Sequence, residues 1–295
     1  MTTFVEAEIA SQPECWGRAA ELAGAGHPAL PEPGERVAIV GCGTSYFMGQ
    51  AYASLRETSE QGVTDAFAAS EFPGPRSYDR VIGLTRSGTT TEVLDLLAAV
   101  RGTVRTAAIT ADPETPVMTA ADDVAVLDFA DERSVVQTRF ATTALTFLRA
   151  HLGLHTASVE RDGQRALAEP LPVGLAFCSQ FTFLGQGWTV GLANEAALKL
   201  REAALAWTEA YPAMEYRHGP ISIAEPTTAT WMIGPAPEGL AEQVDATGAR
   251  WIEGGLDPLA ELVRIHRLTV AVAAVKGLDP DRPRNLTRSV ILTQA

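Results

Sequence analysis

Hydrophobic and polar positions along this chain follow two alternating periods. Val37-Ala38-Ile39-Val40 and Val81-Ile82-Gly83-Leu84 are short runs with no polar face. Apolar runs of that length, bounded by small turn residues, read as strands buried on both sides. Each leads through a turn into a segment of helical period. Gly41-Cys42-Gly43-Thr44-Ser45 precedes a helix over 46–57, and Thr85-Arg86-Ser87-Gly88-Thr89-Thr90 precedes one over 91–100. Strand, short turn and helix form the opening of a βαβ unit. Further strands are expected at 105–110 and 124–127, and a helix over 142–152 closes the first half. An amphipathic helix over 6–24, carrying Glu6, Glu8, Glu14 and Glu21 among apolar positions, stands ahead of it, followed by a Pro/Gly-rich stretch at 27–34. Residues 160–172 are polar and then Pro-rich, and read as a linker.

The second half repeats this logic. A strand is expected at 174–178, then the turn Gly185-Gln186-Gly187, a long helix over 189–208, and strands at 230–234 and 268–275. Strand–turn–helix openings that recur after roughly 140 residues suggest a duplicated architecture. The fold class expected is α/β, in two domains spanning 1–155 and 156–295.

Composition narrows the function classes. Of 295 residues, 46% are hydrophobic and 20% charged, enough apolar material for one large or two medium cores. The net charge of −13 disfavours a nucleic-acid or membrane-surface partner. It leaves a small anionic ligand open, because a local pocket can oppose the global field. Cys15, Cys42 and Cys178 are few and lack metal-ligand spacing, which fits a reduced, cytoplasmic compartment. Neither a signal peptide nor a membrane span is expected from the pattern. The lysines are Lys199 and Lys276 alone, so a mechanism that needs an amine has two candidates.

The first turn offers Thr44 and Ser45 at a helix start, where unpaired N–H groups and the positive end of the helix dipole favour an anion. A plain strand-to-helix turn with a capping hydroxyl explains it equally well. The second turn goes further. Thr85, Ser87, Thr89, Thr90 and Thr91 place five hydroxyls within seven residues around Gly88. One Ser or Thr suffices as a cap, whereas a phosphate has several acceptor oxygens to satisfy. Neither G-x-x-x-x-G-K-[ST] nor G-x-G-x-x-G occurs, so a monophosphate is favoured over a nucleotide.

The segment Glu195 to Pro220 concentrates the remaining chemistry. Glu195 and Lys199 are i,i+4 on one helix, and Lys199 and Glu202 are i,i+3. A carboxylate beside an ammonium can move a proton between adjacent sugar carbons, the ammonium stabilising the developing enediolate. An ion pair on a solvated helix face has the same spacing. His218, in Arg217-His218-Gly219-Pro220, is a candidate for proton transfer near neutral pH. His27, His151, His155 and His266 have no such setting and read as structural or exposed. No cluster has metal-ligand spacing, so no metal and no cofactor is expected.

Taken together, Gly41 to Tyr46, the turn Ser87 to Thr90, Glu195 to Glu202, and Glu209-Ala210-Tyr211 through Pro220 resemble the sugar-isomerase (SIS) superfamily. They are most similar to the isomerase half of glucosamine-6-phosphate synthase and to amino-sugar-phosphate deaminases and isomerases. Pro283-Arg284-Asn285-Leu286 is similar to that synthase's tail, and the resemblance runs from about residue 36 to the end. It implies two tandem flavodoxin-like SIS domains, each with helices on both faces of a parallel sheet, in a homodimer with shared active sites. It places Ser45, Ser87 and Thr90 at sugar-phosphate-binding positions, with Thr85 beside them. Glu202 matches the proton-shuttling base, Lys199 an active-site lysine, and His218 the ring-opening histidine that reaches in from the neighbouring subunit.

Departures from that pattern bear on the reaction. Met1 is not followed by Cys, and no glutaminase segment precedes the resemblance, so glutamine is not the expected ammonia source. Arg288 stands where the synthase has an imine-forming lysine, and a guanidinium does not form a Schiff base with a ketose. Gln137 and Arg139 differ from the synthase's Ser and Lys. The expected function is therefore isomerisation, or deaminating isomerisation, of a hexose or amino-sugar 6-phosphate. A non-catalytic sugar-phosphate-binding regulator is the alternative.

Overall fold

The computed structural model describes residues 2–74 and 76–292. Two short helices open the chain, α1 (Phe4–Ala10) and α2 (Gln12–Gly24), where one continuous helix was expected. The pair Gln12-Pro13 accounts for the break, since proline has no N–H to donate and fits only a first helical turn. Then follow β1 (Val37–Gly41), α3 (Thr44–Thr58), β2 (Thr64–Ala68), β3 (Arg80–Leu84), α4 (Thr91–Val100), β4 (Arg105–Thr110), α5 (Val117–Ala120), β5 (Asp123–Val126) and α6 (Arg139–His151). The second half contributes α7 (Ala157–Ala168), β6 (Gln180–Gly185), α8 (Thr189–Ala204), β7 (Trp207–Pro212), β8 (Thr228–Ile233), α9 (Leu240–Asp245), β9 (Arg250–Glu253) and α10 (Pro258–Val275).

Contacts divide the chain into two compact units, Met1–Pro13 with Ala157–Leu286, and Glu14–Thr156 with Thr287–Ala295. The ends of the chain thus cross over, a feature absent from a plain division after residue 155. Asp281 explains the first crossing. Its carboxylate accepts from the Phe4 and Val5 amides at 2.8 and 2.9 Å, capping the α1 N-terminus from within the 157–286 unit.

In the 14–156 unit five strands run parallel in the order β2-β1-β3-β4-β5, the doubly wound order that reverses direction between β1 and β3. β1 and β3 are buried along their whole length, as central parallel strands must be. Val40, Val81, Val93, Leu97 and Ala108 are part of a core cluster. The 157–286 unit has a parallel sheet in the order β7-β6-β8-β9, with its reversal between β6 and β8. Leu184, Met232, Leu240 and Val244 are part of its core.

Three expectations fail in the second half. Residues 268–275 are the end of α10, not a strand. Their alternation of β-branched residues mimics a strand, but Asp257 accepts from the Leu259 amide at 3.0 Å and Pro258 opens the helix, a strong start signal. Residues 160–172 are mostly α7 rather than a linker. The strand placed at 174–178 lies at 180–185, behind a single 3₁₀ turn at Leu175–Phe177. The short strands β2, β7 and β9 were not anticipated. No described helix is long and apolar enough to cross a membrane.

Candidate active site

Register puts the two hydroxyl-bearing turns side by side. Gly41, the last residue of β1, pairs with Leu84, the last of β3. The turns that follow therefore leave the same edge of the sheet, at the strand-order reversal where open α/β sheets place their ligands. Close approach shapes the first turn. A Cβ on Gly41 would stand 2.7 Å from the Ser45 Cβ, so only glycine lets α3 start so near the strand. Thr44 and Ser45 are buried there. Burial, and secondarily the charge of Glu92, pushes the Cys42 thiol up to about 11, so it stays protonated and is no nucleophile at neutral pH.

The second turn is a hydroxyl network. Thr85 Oγ1 lies 3.3 Å from Thr90 Oγ1. Ser87 and Thr89 both reach the Ser289 hydroxyl, at 3.1 and 2.9 Å, and Thr89 also reaches Ser87 at 3.1 Å. Gly88 has φ +62°, and a Cβ there would meet Thr115 Oγ1 at 2.0 Å. The segment 287–292 lies alongside, with Val290 O accepting from the Thr91 amide at 3.3 Å. Ser87, Thr89, Asp112, Arg288 and Ser289 help to line a cleft of about 350 Å³. Arg288 pairs with Asp131 and donates to the Glu132 carbonyl. Gln137 has a buried side-chain oxygen with no hydrogen-bond partner among the described residues. Thr44, Ser45, Thr85, Ser87, Thr89, Thr90, Gln137 and Arg288 thus all fall within one unit.

Lys199, Glu202 and His218 fall in the other. Lys199 is 1% exposed, its Nζ 2.5 Å from Glu202 and 3.5 Å from the fully buried Glu195. Glu202 keeps 19% of its side-chain surface open and borders a small cleft with Leu205, Arg282 and Arg284. A carboxyl side chain that meets solvent, backed by a buried lysine between two acidic side chains, has the parts for proton transfer. Behind this group His266 is 1% exposed, with Gln12 Nε2 3.2 Å from its Nδ1. It is structural, as expected of it, and buried rather than exposed.

The structure does not bring His218 to Glu202 of the same chain. α8 leaves the end of β6 and runs back, so that β7 restarts opposite Gln180, the first residue of β6. Glu202 lies on the last turn of α8, roughly 20 Å along the axis from its start at 1.5 Å per residue. His218 follows the far end of β7, where Pro212 pairs with Gly185, and is exposed in a 3₁₀ turn. The two residues therefore lie beyond opposite edges of their sheet.

No family model matches the chain. Glutamine–fructose-6-phosphate aminotransferase [isomerizing] from Sulfurisphaera tokodaii is 30% identical, over 87% of this chain and 50% of its own. A solved C-terminal domain of the glucosamine-fructose-6-phosphate aminotransferase from Francisella tularensis shares the fold at TM-score 0.81 and 21% identity, covering 96% of this chain and 99% of that one. The chain is a homologue of the isomerase (SIS) half of these aminotransferases. It spans about half the length of the curated relatives it matches. A solved glucosamine-6-phosphate deaminase from Thermotoga maritima shares this SIS fold along its whole length, at TM-score 0.83, 24% identity and 98% of this chain.

Three residues that the motifs did not single out shape the site: Glu132, Ser289 and the side chain of Arg86. Arg86 stood inside a turn read for its hydroxyls. Ser289 lies beyond the Pro283–Leu286 match, and its contact with Ser87 spans 202 residues, a separation no local pattern reports.

Proposed function

We propose that this chain is a phosphosugar isomerase or deaminating isomerase built of two tandem SIS domains, acting on a hexose or amino-sugar 6-phosphate as a homodimer. The observation that carries this reading is the buried Lys199 held between Glu195 and Glu202 on α8. A solvated surface ion pair, the competing account of that spacing, would leave the ammonium in water. The hydroxyls of the two turns, Thr44, Ser45, Thr85, Ser87, Thr89 and Thr90, bind the phosphate oxygens. Gln137 and Arg288 face the rest of the sugar.

Glu202 takes the proton from C2 of the open-chain aldose and returns it to C1. Lys199 stabilises the enediolate oxygen that forms between the two steps. If C2 carries an amine, the same transfer converts the enolamine to a C2 imine. Water adds to that imine and ammonia leaves, giving the ketose. Arg288 cannot supply an amine to a ketose, which disfavours the reverse use of a protein-bound imine. His218 opens the sugar ring in the active site of the second subunit. Its separation from Glu202 within one chain supports that arrangement.

The test is incubation with glucosamine-, galactosamine- and fructose-6-phosphate, following ammonia together with ketose and aldose. Ammonia from one amino sugar identifies a deaminase, and interconversion without ammonia identifies an isomerase. Binding with no turnover of any of them overturns the catalytic reading in favour of a sugar-phosphate-binding regulator.

A further inference from the structure

The hydroxyl turn contains one cation, Arg86, and simple electrostatics would aim it at a bound anion. The fold sends it elsewhere. Arg86 is 2% exposed. Its Nη1 donates to Ser134 O at 3.1 Å, and its Nη2 donates to Val135 O at 3.1 Å and Arg288 O at 3.0 Å. Glu132 supplies the countercharge at 3.5 Å through one carboxylate oxygen. The other oxygen accepts from the Thr138 and Arg139 amides, both at 2.7 Å, and so caps the start of α6. The backbone of Arg86 is fixed in turn, its carbonyl accepting from the Ala111 amide at 3.1 Å and Thr110 Oγ1 at 3.2 Å.

We infer that Arg86 is a positioning residue, whose guanidinium holds the 131–138 loop and the 287–292 segment against the hydroxyl turn and thereby presents Gln137 and Arg288 beside the phosphate. The inference has a physical ground. Neither segment lies in a strand or a helix, so neither has regular structure to fix it. A guanidinium offers five N–H groups in a rigid fork, enough for three carbonyls and a carboxylate, which a lysine ammonium cannot reach together. The segments it ties carry the residues that face the sugar. Arg86 thus acts on sugar recognition without touching the ligand. The effect on substrate rests on the phosphosugar reading; the clamp itself does not.

The test compares wild type with Arg86→Lys and Arg86→Gln. Amide exchange in the ligand-free protein should rise at least about tenfold over 131–138 and 287–292, the loss of roughly one net hydrogen bond per segment, and stay unchanged in β2 and α5. KM for the sugar phosphate that the wild type turns over should rise by about the same factor. Inhibition by inorganic phosphate, which meets only the hydroxyls, should keep its strength. Wild-type exchange rates in a folded variant overturn the clamp. Faster exchange with unchanged KM overturns the positioning role. If neither variant folds, exchange of 287–292 at the rate of an unstructured chain in the wild type overturns it alone. If the wild type turns over no phosphosugar, the proposed function fails, and the exchange data still decide the clamp.

Discussion

Glu202 and His266 show how one buried neighbour, Lys199, is used in two ways. Glu202 is partly open and touches the ammonium directly. Replacing it by Gln keeps the shape and removes the proposed base. Turnover of the sugar phosphate should fall by roughly 10²–10⁴-fold, the usual worth of a positioned base, while its affinity, measured by calorimetry, stays close to wild type. Strong residual turnover would take Glu202 out of its assigned role. His266 is sealed in. Burial first, and the Lys199 charge second, lower its pKa to about 3 from an ordinary 6.5. The folded state therefore keeps the imidazole neutral while the unfolded chain binds a proton below about 6.5. The stability this group contributes is complete above that pH and is lost as pH falls towards 3, at up to about 1.4 kcal/mol per unit. Urea unfolding at pH 7 and pH 5 should show His266→Gln with a drop smaller than the wild type's by about 2 kcal/mol. An equal drop in both proteins would mean that His266 titrates normally.

At the scale of elements, the glycines that end strands set how near the next helix starts. A Cβ on Gly185 would stand 2.3 Å from Thr189 O, a backbone atom that cannot swing aside. Gly185→Ala should cost about 1–3 kcal/mol of unfolding free energy, as overpacking does. Gly49, inside α3, would place its Cβ at an ordinary 3.4 Å from the Ile39 side chain. There alanine should be neutral or stabilising by up to about 1 kcal/mol, since glycine is the poorer helix former. Equal effects of the two changes in denaturant melts would refute the packing argument. This same junction of strand, small turn and helix is what made the α/β class readable from sequence. The apolar runs of β1 and β3, and the helices after them, stand close to where the pattern put them. Legibility ended where tertiary contacts outweigh local signal. The half-exposed Thr64-Asp65-Ala66-Phe67-Ala68 becomes β2 because β1 offers it an edge. The strand-like end of α10 stays helical because it continues from a capped start and packs on α8 and α7. Of the site, residue types and motif spacing were legible, whereas the 287–292 segment beside the hydroxyl turn rests on contacts about 200 residues apart, such as Ser87 with Ser289.

At the scale of the whole molecule, the decisive fact is that Glu202 and His218 lie beyond opposite edges of one sheet. A reaction that needs both cannot be completed by these two residues of a single 157–286 unit. In the proposed homodimer, a second copy related by two-fold symmetry would supply the missing residue twice, once to each site, because such an interface is self-complementary. The consequence is complementation. Glu202→Gln chains and His218→Ala chains should each be nearly inactive alone. Mixed under conditions that let subunits exchange, they form hybrid dimers in which one of the two sites has an intact Glu202 from one chain and an intact His218 from the other. Random pairing puts half of the chains in hybrids, so activity should recover to roughly a quarter of wild type. The recovery should disappear when the two changes are placed on the same chain and mixed with the doubly changed protein itself. Absence of recovery after proven exchange would mean that His218 does not act across subunits, and that ring opening belongs to another residue or to water.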